Sequence, residues 1–161
     1  MTHFIAETDR DLPDAQTVLS MSGLEFMRGI LEGRISAPPI SGLMGYYLDT
    51  VDEGRVLFRG TPEFPVCNPM GTVHGGWYGT LLDSCMACAV MTTVPKGSVY
   101  TTLEYKVNIT RPIPLGTEIV AEGVIQHAGR STGVARGEIR GAADGKIYAT
   151  GSTTCIIMKP G

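Results

Sequence analysis

Between Trp77 and Val94 apolar residues recur at spacings of three and four, with Leu81, Leu82, Cys85, Met86, Ala89 and Val90 in phase and no proline between Met70 and Val94. That period predicts a long buried helix, entered through His74-Gly75-Gly76. After Pro95 the period falls to two. Leu103, Tyr105, Val107 and Ile109 alternate with Glu104, Lys106, Asn108 and Thr110, which predicts a half-buried strand. The run Pro112-Ile113-Pro114-Leu115-Gly116 ends it, and strands follow over about 117–127, 132–142 and 146–157. Turns fall at Gly129 and at Asp144-Gly145, where an Asp-Gly pair favours a tight hairpin because both residues tolerate positive φ.

Upstream, Ser22 and Glu25 form a capping box for a shorter helix with Leu24, Met27, Ile30 and Leu31 on one face, ended by Gly33. It reads as a packing helix covering a sheet edge or pocket. Ala37-Pro38-Pro39 reads as a linker into two strands, over about 42–51 and 55–61, joined at Asp52-Glu53-Gly54. Residues 1–20 are polar and aperiodic, and read as a tail or irregular arm. Short loops between strands favour antiparallel pairing, so the fold class is α+β with the long helix against one sheet. Residues 1–36 then form an arm and packing helix, and residues 37–161 a single domain; the length leaves no room for a second.

Within 68–94 Asp83 is the only formally charged side chain. A carboxylate in an apolar interior costs several kcal/mol unless it is paired, hydrogen-bonded or used by a site. The helix start supplies the complementary chemistry. Its first N–H groups have no intrahelical acceptor and carry partial positive charge, and Gly75-Gly76 lets a ligand oxygen approach them closely. Such amides polarise a carbonyl and strengthen their hold as it gains negative charge in acyl transfer. Asn68 adds a second donor, and His74 either holds the turn or meets a leaving thiolate. Asp83, however, lies eight residues past Gly75, roughly 12 Å along a helix axis. One helix therefore cannot bring both groups to one carbonyl, whereas a two-fold dimer with antiparallel helices can.

Asn68, His74-Gly75-Gly76 and Asp83, followed by strands, resemble the phenylacetate-degradation (PaaI-type) acyl-CoA thioesterases of the hotdog-fold superfamily, over about residues 40 to 158. The resemblance implies a long helix wrapped by a curved antiparallel sheet, and homodimers often paired into a homotetramer. It also implies metal-free hydrolysis of acyl-CoA, with coenzyme A part of the substrate and no cofactor. By position, Asn68 and the Gly75 amide would polarise the thioester, and Asp83 of the other chain would activate water or attack directly. The family frequently adds a Ser or Thr on the strand after the helix. Thr101 and Thr102 both qualify, and counting back from Pro112 and Gly116 favours Thr102.

Charge and composition narrow the remainder. Thirteen basic residues against sixteen acidic give a net charge of −3 without a Lys/Arg stripe, which argues against nucleic acid as a partner. The N-terminus lacks a secretory pattern and the longest apolar run is interrupted by Asp83 and Ser84, so a cytoplasmic protein without membrane attachment is expected. Cys85 and Cys88 form C-x-x-C in mid-helix, where small packing residues that let a sheet approach are the expected role; disulfides are not expected. The three histidines are scattered, which argues against a metal site. The turn Gly129-Arg130-Ser131 is a candidate for the phosphates of CoA, with Lys106 and Arg111 as weaker ones. Two other readings stay open: a non-catalytic acyl-CoA binding or sensing module, and a hotdog-type enoyl-CoA hydratase or dehydratase, which would pair the acid with a histidine.

Overall fold

Six antiparallel strands and one long helix carry the architecture. The computed structural model describes residues 3–160. In chain order the helices are α1 (Ala15–Leu19), α2 (Gly23–Leu31), α3 (Pro39–Met44) and α4 (Gly75–Met91). The strands are β1 (Tyr46–Asp52), β2 (Arg55–Gly60), β3 (Val99–Ile109), β4 (Ile119–Ala128), β5 (Thr132–Gly141) and β6 (Ile147–Met158). They form one sheet in the order β1-β2-β4-β5-β6-β3. The chain thus leaves β2, crosses the sheet as α4, and re-enters at the far edge as β3. This is the hotdog arrangement expected from the resemblance.

The helix is apolar on every side, as a helix enclosed by its own domain must be. Leu81, Leu82, Cys85, Met86, Ala89 and Val90 are fully buried. Each Leu or Met so buried contributes about 1.5–3 kcal/mol. What admits the helix so closely is a row of glycines across three strands, for Gly123 pairs with Gly137 and Gly137 with Gly151. A Cβ on Gly123 would stand 2.0 Å from the Cys85 carbonyl oxygen, and one on Gly137 would stand 2.7 Å from Met86 Cγ. Cys85 is therefore a small packing residue, as expected. Trp77 Nε1 donates to the Met44 carbonyl at 2.9 Å, and the Ile113 N–H donates to Tyr78 Oη at 2.9 Å, which fixes the entry end of the helix.

Three expectations need correction. Residues 42–44 are helical rather than extended: Pro39 presets the first turn of α3, and Gly45, at φ +71, caps it in the left-handed region, so the strand begins at Tyr46. The arm is docked rather than loose over its described part. Ile5 and Ala37 form a parallel bridge, Ser36 Oγ donates to the Asp11 carbonyl at 2.7 Å, and Asp14 caps α1; residues 1 and 2 lie outside the described residues. Third, the apolar face of β3 alternates as expected, yet the chain does not cover it. Leu103, Tyr105 and Ile109 are 59%, 48% and 47% exposed, because β3 is an edge strand paired only with β6 and a bulge at Thr102/Glu104 turns Leu103 outward.

The predicted capping box at Ser22 and Glu25 forms, with the Ser22 N–H donating to Glu25 Oε2 at 2.7 Å. The Asp144-Gly145 hairpin also forms, with only Gly145 left-handed, at φ +67. Among the described residues, no helix is long and apolar enough to cross a membrane.

Candidate active site

The entrance to α4 is held by its own side chains. Asn68 organises the preceding loop: its Oδ1 accepts from the N–H groups of Met70 (2.9 Å) and Thr72 (3.2 Å), and its Nδ2 donates to Thr72 Oγ1 at 2.8 Å. One amide hydrogen of Asn68 stays uncommitted in that pattern. His74 is the N-cap in extended conformation, and its Nδ1 accepts the Gly76 N–H at 2.8 Å. Of the two roles open to His74, holding the turn is the one the geometry displays. Gly76, expected to contact substrate, has its own N–H engaged by that imidazole. Gly75 keeps the exposed N–H without an acceptor among the described residues, and a Cβ there would meet only Ile109 Cδ1, at 3.6 Å.

Two turns further along, Asp83 is half-buried and faces β3. Thr102 Oγ1 donates to Asp83 Oδ1 at 3.0 Å. Burial raises the Asp83 carboxyl above the usual carboxylate range, and the Thr102 hydrogen bond opposes part of that rise. No cation pairs with it among the described residues. Asp83 opens on a cleft of about 280 Å³ whose walls include Ser84, Cys88, Tyr100, Thr101 and Thr102. Thr102 is thus the threonine in contact with the acid, while exposed Thr101 forms the mouth. An unpaired carboxylate with a raised pKa, steadied by a hydroxyl and open to solvent, is equipped to take a proton from water.

The two halves do not meet within one chain. The helix entrance lines its own depression of about 400 Å³, with His74, Gly76 and Thr80 on one side and Leu43, Pro65 and Cys67 on the other. No residue lines both it and the Asp83 cleft.

A family model described as the thioesterase superfamily matches residues 70–148, the segment holding both halves. The acyl-coenzyme A thioesterase 13 of Mus musculus is 30% identical, over 66% of this chain and 81% of the mouse protein. The chain belongs to the thioesterase superfamily. Among solved structures, a phenylacetic acid degradation-related protein of Ralstonia eutropha JMP134 superposes with a TM-score of 0.73 at 28% identity, covering 81% of this chain and 98% of that one. A thioesterase protein of Streptococcus pneumoniae TIGR4, solved with coenzyme A, shares the fold at a TM-score of 0.67 and 23% identity, covering 74% and 91%.

In this thioesterase-superfamily chain the third group of predicted residues lies elsewhere. Gly129, Arg130 and Ser131 form the β4–β5 turn and line a depression of about 430 Å³ with Ser98 and Lys159. Lys159, beyond the end of β6, is not signalled in the sequence, because nothing local ties it to Arg130. Ser84, which the sequence pattern did not single out, and Cys88, expected only as a packing residue, also line the cleft. The available signal was Ser84 itself, a second polar residue beside Asp83 on an otherwise apolar helix. Burial pushes the Cys88 thiol up to about 12, so it stays protonated and serves as a wall, not a nucleophile. Among the described residues no group of three His, Cys, Asp or Glu side chains is placed to hold a metal ion.

Proposed function

We propose that the protein hydrolyses acyl-CoA thioesters as a two-fold dimer, each site combining the Gly75 end of one α4 with the Asp83 face of the other. The observation that carries this reading is the layout of β3. Its Thr102 end holds Asp83 and its Ile109 end lies against Gly75. This strand is also a sheet edge with an uncovered apolar face. If β3 pairs antiparallel with β3 of a second copy, the Ile109 end of one strand meets the Thr102 end of the other. Gly75 then faces Asp83 of the second copy, and Leu103 and Tyr105 are covered.

In that site the thioester oxygen accepts the Gly75 N–H at the positive end of the helix, with the free Asn68 hydrogen as a second donor. Asp83 takes a proton from water as the water oxygen bonds to the carbonyl carbon. The C–S bond then breaks, and the thiolate leaves and is protonated, giving free acid and CoA thiol. Thr102 keeps Asp83 turned toward the water. Coenzyme A as the thiol partner rests on the named activity of the mouse relative. The Gly76 N–H occupies His74 Nδ1, which leaves only Nε2 for any acid–histidine pair of the hydratase kind.

Complementation tests the shared site. Asp83→Asn and Gly75→Pro proteins, each without thiol release, are co-expressed. Random pairing restores about a quarter of wild-type activity, since half the dimers carry one intact site of two. No recovery from mixed dimers sinks the shared site, and a wild-type protein that releases no thiol from any acyl-CoA sinks the hydrolysis.

A further inference from the structure

Behind the Asp83 cleft lies a second, narrow cavity of about 60 Å³, between α2, α3, β1, β2 and the middle of α4, with exposed Pro38 among its lining residues. Its walls include Met27, Ile30, Tyr46, Leu48, Phe58 and Cys88. Ser84 and Cys88 line both spaces, so the cavity and the cleft share a wall one helical turn deep. Every polar side chain facing the cavity already has a partner: Tyr46 Oη and Ser84 Oγ lie 2.9 Å apart, and Ser41 Oγ donates to the Pro38 carbonyl at 2.8 Å. No charged residue borders it. An occupant therefore gains only from apolar contact, and from the Asp83 cleft it reaches the cavity past Ser84 and Cys88.

We infer that this cavity receives the acyl tail, and that Cys88 and Ile30 limit the substrate to short aliphatic acyl groups. The inference rests on the hydrolysis reading above and specifies its substrate. With the carbonyl beside Asp83, the CoA arm has the open side of the cleft at Thr101, and the tail has the shared wall and the space behind it. Size makes the choice among acyl groups. A cavity of about 150 Å³ accommodates a benzene ring, so the volume here is well short of one aromatic ring and suits a few methylenes. Interiors are packed too densely to absorb the difference without strain. The Tyr46–Ser84 hydrogen bond braces the wall, linking β1 to α4 across the cavity. Cys88 is the side chain whose enlargement would close the passage, and Ile30, half-buried on α2, is the one whose truncation would deepen it at low cost to the core.

The test is an acyl profile of kcat/KM for acetyl-, butyryl-, hexanoyl- and phenylacetyl-CoA, followed by thiol release, for the wild type and for Cys88→Leu and Ile30→Ala. The wild type is expected to prefer butyryl-CoA to phenylacetyl-CoA by about tenfold or more. Cys88→Leu should raise the acetyl-to-butyryl ratio about tenfold, and Ile30→Ala should raise the hexanoyl-to-butyryl ratio by a similar factor. These ratios move in opposite directions along chain length, so a general loss of fold or activity cannot imitate them. Thermal melting of each variant confirms that it is folded. Thiol release with a profile that neither variant moves, or a wild-type preference for phenylacetyl-CoA, overturns the pocket while leaving hydrolysis standing. Absence of thiol release from every ester overturns both.

Discussion

Against β4, β5 and β6 the long helix lies on Gly123, Gly137 and Gly151 with little space left for a methyl group, whereas along β3 it meets half-exposed Tyr105 and Ile109. The glycines of the two sides look alike in the sequence and do opposite work. In the sheet they let backbone meet backbone. At Gly75 the missing side chain leaves an N–H uncovered. The contrast shows that one chain completes its packing where no chemistry occurs and stays incomplete where its donor and its acid are displayed. In the reading proposed above, a second copy completes that side.

The sharpest attack on the open side is Asp83→Asn. Thiol release is expected to fall by about 10²–10⁴-fold, the range for removing a general base. The same variant separates function from stability. Burial raises the Asp83 pKa in the folded chain, so the folded state holds its proton more tightly than the unfolded state. That contribution to stability is fully present below the unfolded pKa and is lost as pH rises through the folded value. Asp83→Asn should therefore melt above the wild type at pH 7, with the difference vanishing as the pH falls below the ordinary aspartate value of 3.8. A lower melting temperature at pH 7 would mean that the ionised acid is a structural asset.

Gly75→Pro is next in size. Proline suits the first helical position, where the N–H has no intrahelical acceptor, and His74 before it is already extended. The fold should survive while thiol release drops by about 10²–10³-fold, as for loss of an oxyanion donor. Gly75→Ala, which keeps the N–H, should retain most activity; equal damage from both variants would refute the amide's role. On the closed side, Gly123→Ala should cost about 1–3 kcal/mol in urea unfolding through overpacking against Cys85. An unchanged midpoint would show that the glycine row is not what seats the helix. The smallest expected effect is that of Thr102→Val. Loss of the hydroxyl raises the Asp83 pKa further, so the acidic limb of the kcat/KM profile should move to higher pH. A limb that stays in place would detach Thr102 from the acid.

Much of the fold is legible in the order of the residues. The helical period, the capping box at Ser22 and the turn at Asp144-Gly145 depend on neighbours a few residues apart, and all appear as expected. The lone acid and the glycine entrance are visible for the same reason. Residues 42–44 are helical where a strand was expected, because so short an apolar stretch satisfies either period, and Pro39 with Gly45 decided for the helix. The alternation in β3 is real, but alternation says which side is apolar and not what covers it.

The amino-acid sequence by itself determined where α4 begins, that its interior holds one carboxylate, and that two groups eight residues apart on one helix cannot share a carbonyl. Periodicity, capping and helical rise are local properties, so they survive being read one residue at a time. Only the tertiary structure decided that Thr102 and not Thr101 meets Asp83, that His74 occupies the Gly76 N–H, and that glycines 123, 137 and 151 stand side by side. It alone decided that a small apolar space lies behind Ser84 and Cys88. Each of these depends on strand register or on contacts between distant segments, where a shift of one residue turns a side chain to the opposite face.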